Sequence, residues 1–364
     1  MILLWLRRLH RWVGLAAVLP MLMLGITGAV LTLEPVWPHG HEASIADSRP
    51  DAEIIAAAVA LAPRGARPAR YTPAAEPGDA AVVAFAGRNA PTIRLDPATL
   101  ARIGAEEGQG GILRSMRTLH VNLMLQEYGG RSIIGWCGVA LVFLTVCGIP
   151  IWWPSPGQWR AAFTFSAAAK GVRFHRRLHG AVGIWIAVVL FVNALTGAML
   201  GFPQVVRGWM GLQAGGPPRQ SAPGPGAPPA YDITAAMALA NTALPGTRPR
   251  VVILPLAAGD PFRVFLSPRG GGAVGAGTAT IDAAGTRVIS LQDPRTYTLG
   301  EQAWRWAHDL HEGAGGGPVW RGLTFLAGVA LPVFSVTGLA MWLLRRRNRR
   351  RVDIARQVAA QPGD

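Results

Sequence analysis

The chain has 364 residues; half are hydrophobic, only 15% are charged, and the net charge is +15. So little charge on so apolar a chain excludes an ordinary soluble protein of this size and points to a membrane protein. The positive balance does not imply nucleic acid, because the basic residues cluster beside apolar runs, where they set membrane topology.

Arg7, Arg8 and Arg11 precede a first apolar run, which predicts a membrane helix over 13–33. A cleaved signal peptide is the alternative. The run is long for that purpose, and no clean small-residue cleavage site follows it. A long loop, 34–118, comes next. It predicts a helix from Asp51 to Leu61 with Asp51 as N-cap, strands at Ala81–Phe85 and Thr92–Leu95, and a turn at Asp96-Pro97. The second span is predicted over 133–153. It is followed by a basic loop with Arg160, Lys170, Arg173, Arg176 and Arg177.

The third span is predicted over 182–202, and a second long loop reaches to about 317. Gly215 to Ala230 reads as a disordered Pro/Gly linker. A helix from Asp232 to Ala243 follows, with strands at Arg250–Leu254, Phe262–Leu266 and Thr278–Ile281, a turn at Asp282–Gly285 and a mobile tip at Gly270–Gly277. The fourth span is predicted over 322–344. Six arginines lie between Arg345 and Arg351, an anchor against anionic lipid. The three basic clusters place both termini and the middle loop in the cytoplasm and the two long loops outside. Trp152, Trp153, Trp320 and Trp342 stand near span ends, as interfacial tryptophans do.

The resulting expectation is an α-helical membrane protein with four transmembrane helices in two parallel repeats and two small α+β extracytoplasmic domains. The segments are 1–33 (helix 1), 34–118 (outer domain 1), 119–154 (helix 2 with an outer extension) and 155–178 (cytoplasmic loop). Then follow 179–202 (helix 3), 203–307 (outer domain 2), 308–344 (helix 4 with an outer extension) and 345–364 (basic tail).

The repeat is visible in the motifs. His10, Gly14 and Thr27-Gly28 recur at the same offsets as His179, Gly183 and Thr196-Gly197. Arg131 to Gly148 matches Arg321 to Gly338, and Leu119-His120 matches Leu310-His311 to within one residue. An ionisable side chain in or at the end of a membrane helix is a candidate site by default. Of the eight histidines, His10, His175 and His179 lie at cytoplasmic ends, and His120, His308 and His311 at outer ends. His39 and His41 match nothing in the other half and read as solvated. Two matched imidazoles at each membrane face suggest metal ligation from both sides, as in a haem held by two histidines.

Gly14, Gly28, Gly183 and Gly197 fall on nearly the same helix face as the histidines and leave room for the edge of a flat ring system. Close helix packing is the alternative explanation for the glycines taken alone. A zinc site is the competing use of the histidines, but no carboxylate or thiol is matched to them. Cys137 and Cys147 stand about 15 Å apart on one helix, too far to form a disulfide. Absence of Cys-x-x-Cys-His excludes covalent attachment, so any haem would be non-covalent and b-type. His175 and His179 face the same way, as do His308 and His311. The repeat favours His10, His179, His120 and His311 as iron ligands, with His175 and His308 beside them.

Leu-His-Arg-Trp-Val-Gly-Leu at 9–15, Gly-Ile-Pro-Ile-Trp-Trp-Pro at 148–154, His-Arg-Arg-Leu-His-Gly at 175–180 and Thr-Gly-Leu-Ala-Met-Trp at 337–342 resemble the PepSY-associated transmembrane helix family. The outer loops resemble PepSY domains. The resemblance implies a multi-pass protein of the bacterial inner membrane, similar to dihaem ferric-siderophore reductases. It implies two non-covalent b-type haems, and a ferric siderophore or other ferric chelate as electron acceptor. No dinucleotide or flavin fingerprint is present, so the donor would be external, a quinol or a separate reductase. One element departs from the motif: the position matching the repeated Thr-Gly in the second span reads Cys147-Gly148, which argues against a role for the threonine. The alternative function is a non-redox membrane module in which PepSY-like domains assemble with or sense a periplasmic partner.

Overall fold

The computed structural model describes residues 1–33, 48–75, 79–87, 90–103, 109–164, 168–212, 231–269 and 275–359. His39, His41, the linker at 215–230 and the hairpin tip at 270–274 lie outside the described residues. The elements run α1 (Ile2–Ala16), α2 (Val18–Leu33), α3 (Asp51–Leu61), β1 (Pro68–Thr72), β2 (Ala81–Phe85) and β3 (Thr92–Leu95). They continue with α4 (Gln109–Asn122), α5 (Gly130–Trp152), α6 (Trp159–Ala162), α7 (Gly171–Gly201), α8 (Pro203–Trp209) and α9 (Ile233–Ala243). Last come β4 (Thr247–Ile253), β5 (Phe262–Pro268), β6 (Gly277–Ile281), β7 (Val288–Gln292), α10 (Leu299–Glu312) and α11 (Gly317–Ala359). They form two compact units: a helical one of Met1–Pro35, Ile112–Val206 and Leu310–Asp364, and a sheet-based one of Val36–Gly111 and Arg207–Asp309.

In the helical unit, α5, α7 and α11 are each long and apolar enough to cross a bilayer, and α1 with α2 makes a fourth span only as a pair bent by 65°. The bend corrects the continuous first helix expected over 13–33. Its cause is local: Pro20 has no N–H for the carbonyl of Ala16, and its ring crowds that turn, so the helix breaks at Ala17. The helix that carries the span expected over 322–344 is longer than that span: α11 continues through the arginines of the tail.

The spans meet where side chains are smallest. A Cβ added to Gly138 would fall 2.8 Å from the backbone nitrogen of Ala198, so α5 and α7 touch almost backbone to backbone. A Cβ on Gly328 would fall 2.9 Å from the nitrogen of Ala29, and one on Gly25 2.6 Å from the Pro332 ring, which fixes the α2–α11 crossing. Helices surrounded by lipid gain little from burying apolar side chains, so close approach through small residues carries the association. Ala17, Met21, Ile186, Val189, Leu190, Ala327, Ala330 and Leu331 fill the space between. Trp136, Val188 and Leu326 point outward and are exposed, as suits side chains that face lipid.

In the other unit the two long loops share one seven-stranded antiparallel sheet of order β3-β2-β1-β4-β5-β6-β7. Two separate outer domains were expected; the pairing of β1 with β4 through Arg70–Ile253 and Tyr71–Val252 joins them. The strands β1 and β7 were not anticipated. Alternation of burial along β2 and β5 turns Ala81, Val83, Phe85, Phe262, Val264 and Leu266 to one face, where they pack with Ile54, Ile55, Ala58, Ala236 and Ala240 of α3 and α9. The two helices start differently. Asp232 caps α9 by accepting from the Ala235 N–H at 2.9 Å. Asp51 is the first residue of α3 rather than its cap, which is Pro50, and it accepts a hydrogen bond from the buried Tyr71 hydroxyl. Both Asp-led turns form: Asp96 accepts from the backbone of Ala98 and Thr99, and Asp282 from that of Thr286 and Arg287. Gly285 in the second turn has φ +71°, a conformation that favours glycine.

Candidate functional site

Four of the histidines come together as two pairs. The imidazoles of His10 on α1 and His179 on α7 stand 6.3 Å apart, centroid to centroid, and those of His120 on α4 and His311 on α10 stand 6.1 Å apart. The other two candidates belong to neither pair. His175 packs against Phe174 with a centroid separation of 5.4 Å, and its buried Nδ1 has no hydrogen-bond partner. His308 lies 6.4 Å from Trp304.

Each paired histidine turns Nδ1 toward a residue of the repeated Thr-Gly motif. His120 Nδ1 is 2.9 Å from Thr27 Oγ1, and His179 Nδ1 is 2.8 Å from Thr337 Oγ1. His311 Nδ1 is 3.3 Å from Thr196 Oγ1 and 3.0 Å from the carbonyl oxygen of Asn193. His10 Nδ1 is 3.1 Å from Cys147 Sγ. The departure at Cys147 that argued against the threonines is therefore a substitution within a shared role. The signal was in the sequence, four small polar residues each preceding a glycine near a span end, but nothing in the spacing told which histidine each one meets.

The motif glycines have a more local function than expected. An added Cβ at Gly28 would stand 3.1 Å from His120 Cε1, one at Gly197 2.8 Å from His311 Cε1, and one at Gly148 3.6 Å from His10 Cε1. These glycines let an imidazole lie across the helix backbone. Gly28 thus belongs to the His120–His311 pair and not to the His10 site, and the bend at Ala17 removes the shared helix face read between His10 and Gly28. Gly14 and Gly183 differ: an added Cβ would meet only Leu144 at 3.8 Å or Phe334 at 4.0 Å, so packing does not demand glycine there and open space lies beside the His10–His179 pair.

The two pairs are far apart. His179 and Gly197 lie on the unbroken α7, and 18 residues at 1.5 Å each separate them by about 27 Å along the axis. Gly197 touches His311, so the pairs stand near opposite ends of the spans.

A metal bound to imidazole nitrogen at about 2.0 Å lies roughly 3.2 Å from the ring centroid, so two imidazoles on opposite sides of one metal stand about 6.4 Å apart. The two measured separations match that figure. Among the described residues no group of three or more His, Cys, Asp or Glu side chains is placed to hold a metal ion by itself. Near the His10–His179 pair, Arg11 Nε and His175 Nδ1 are buried without partners; Arg321 Nε is likewise buried, and the Arg321 backbone lies against Gly313, two residues beyond His311. Cys137 and Cys147 are both free thiols.

Several long apolar helices and outward-facing apolar side chains define a multi-pass membrane protein. Residues 7–345 match the family described as the PepSY-associated TM region, and the chain belongs to that family. No curated protein matches it.

Proposed function

We propose that this is a b-type dihaem electron-transfer protein of the bacterial inner membrane that reduces ferric siderophores or other ferric chelates in the periplasm. The observation that carries the reading is the spacing of two imidazole pairs, 6.3 and 6.1 Å, at opposite ends of the spans. Haem supplies one-electron oxidation and reduction, and two in series span a hydrocarbon layer of about 30 Å that one cannot.

The chain's own residues would hold and tune each group. His10 with His179, and His120 with His311, would hold the two haem irons. Arg11 and His175 at one site, and Arg321 at the other, carry buried nitrogens without partners and would receive haem carboxylates. Gly14 and Gly183 leave room for the ring edge. The basic residues beside His10 and His179 orient that end toward the cytoplasm, both termini included, and the sheet-based unit toward the periplasm as a PepSY-like module. The donor is external, a quinol or a separate reductase.

The test uses the purified full chain in sealed liposomes. A ferric siderophore on the side of the His120–His311 pair is expected to accept electrons from the dithionite-reduced protein, and His120→Ala or His311→Ala to abolish that transfer. His10→Ala and His179→Ala should leave the other haem reducible by dithionite but not by the physiological donor. Full transfer by the His311→Ala protein would refute the assigned direction.

A further inference from the structure

We infer that Thr27, Thr196, Thr337 and Cys147 are positioning residues that lock each site histidine in the tautomer with its proton on Nδ1 and its lone pair on Nε2. The ligand this serves rests on the dihaem reading; the tautomer itself is a property of the chain.

A threonine hydroxyl has one proton to donate. Thr27 Oγ1 donates to the Met23 carbonyl, Thr196 Oγ1 to that of Val192 and Thr337 Oγ1 to that of Val333, each at 2.7 Å. With its proton engaged four residues back along the helix, each oxygen faces the imidazole with lone pairs only. The contacts at 2.9, 3.3 and 2.8 Å to His120, His311 and His179 are then hydrogen bonds donated by Nδ1–H. His311 supports the same polarity independently, since the Asn193 carbonyl at 3.0 Å can only accept. At His10 the arrangement persists in sulfur: the Cys147 thiol points to the Leu144 carbonyl at 3.5 Å while its Sγ faces Nδ1 at 3.1 Å.

Back-bonding by itself is ordinary for a helical threonine. Thr32 and Thr145 do the same, bonding the carbonyls of Gly28 and Leu141 at 2.8 Å, with no histidine attached. The four positioning residues differ in their place. Each precedes a motif glycine, and each meets one member of a pair. Within each half of the chain the first span supplies one histidine and one hydroxyl, and the later helices supply the complementary two. A neutral imidazole ligates through one nitrogen, and the hydrogen bond made by the other sets its orientation and basicity. With Nδ1 held on the helix, Nε2 is the nitrogen left to ligate.

The four are not equal. Sulfur is a weaker acceptor than a hydroxyl oxygen. His10 is the one site histidine whose Nδ1 faces a sulfur, which makes the His10–His179 site electronically distinct from the other.

The test has two independent readouts on the full-length protein. In the haem-free protein labelled with 15N-histidine, the wild type should show the Nδ1–H tautomer at the site histidines. Thr337→Val keeps the shape and removes the acceptor. It should allow His179 the other tautomer and weaken haem binding at that site about 10–100-fold, the usual cost of losing such a partner. Thr337→Ser should restore both. Cys147→Thr should lower the midpoint potential of one haem and leave the other unchanged. A Thr337→Val protein with unaltered tautomer and haem affinity would overturn the inference, as would unchanged potentials in Cys147→Thr. A wild type that shows the tautomer yet binds no haem would instead sink the dihaem reading and leave this one standing.

Discussion

At the His120–His311 pair both imidazoles lie against a glycine, Gly28 or Gly197, at distances where an added Cβ would be crowded to 3.1 and 2.8 Å. At the His10–His179 pair only Gly148 approaches an imidazole, at 3.6 Å, and Gly338 has nothing within 4 Å. The side chains that meet Nδ1 differ too: threonine oxygens face both His120 and His311, whereas a cysteine sulfur faces His10 and a threonine oxygen His179. One pair is clamped between backbone and side chains from separate helices, and the other is held more loosely beside open space at Gly14 and Gly183. The parts repeat, but the tightness does not.

The largest test of this comparison is removal of ligands. His179→Ala and His311→Ala should each lose about one haem per chain, measured as haem-to-protein ratio after extraction, a stoichiometry that follows from one metal per imidazole pair. His175→Ala and His308→Ala should lose less, since neither is a member of a pair. Full loss in these two with retention in the former two would reverse the assignment.

Glycine substitution should separate the pairs more finely. Gly197→Ala pushes a methyl group into His311 and should lower haem affinity at that site by about tenfold, the low end of the range for disturbing a ligand's orientation. Gly338→Ala enters open space and should bind haem as the wild type does. Equal behaviour of the two variants in a haem titration would show that the tight clamp has no energetic consequence.

The sheet-based unit offers a parallel comparison with smaller effects. Tyr71→Phe leaves the Asp51 carboxyl without its donor and should destabilise this unit by about 1–3 kcal/mol. Asp232→Ala removes only a helix cap, at about 1 kcal/mol. Burial raises the Asp51 carboxyl above its ordinary value despite the opposing Tyr71 hydrogen bond. Only at pH values between the ordinary and the raised one does the folded form hold a proton that the unfolded chain has released. The stability this contributes is complete below the ordinary carboxylate value and is lost as pH rises through the raised one. The opening free energy of the sheet, taken from hydrogen exchange after division by the intrinsic rate at each pH, should rise on mild acidification in the wild type, and Asp51→Asn should remove that rise.

Much of the helical unit was legible in the sequence because apolar length and flanking arginines are long-range signals that need no partner. The motif offsets identified the four paired histidines for the same reason. The bend at Ala17 was also written there, in Pro20, but hydropathy averages over a window and does not register one missing N–H. Pairing of β1 with β4 was not legible. Pro68–Thr72 reads as a short polar run, and nothing local tells a strand that its neighbour lies two membrane spans further along the sequence. The role of the threonines was hidden for a related reason. Each hydroxyl meets a histidine 93 to 158 residues away, and the cysteine that replaced one of them read as a departure until geometry placed its sulfur on His10.

The central claim is that each imidazole pair takes one metal between its rings. The most direct measurement is the haem content and low-temperature EPR spectrum of the full-length protein purified from haem-replete cells. The account predicts two haems per chain, both low-spin with two histidine ligands, with optical bands that sharpen on reduction. A colourless protein, or one haem with a vacant axial position, would contradict it.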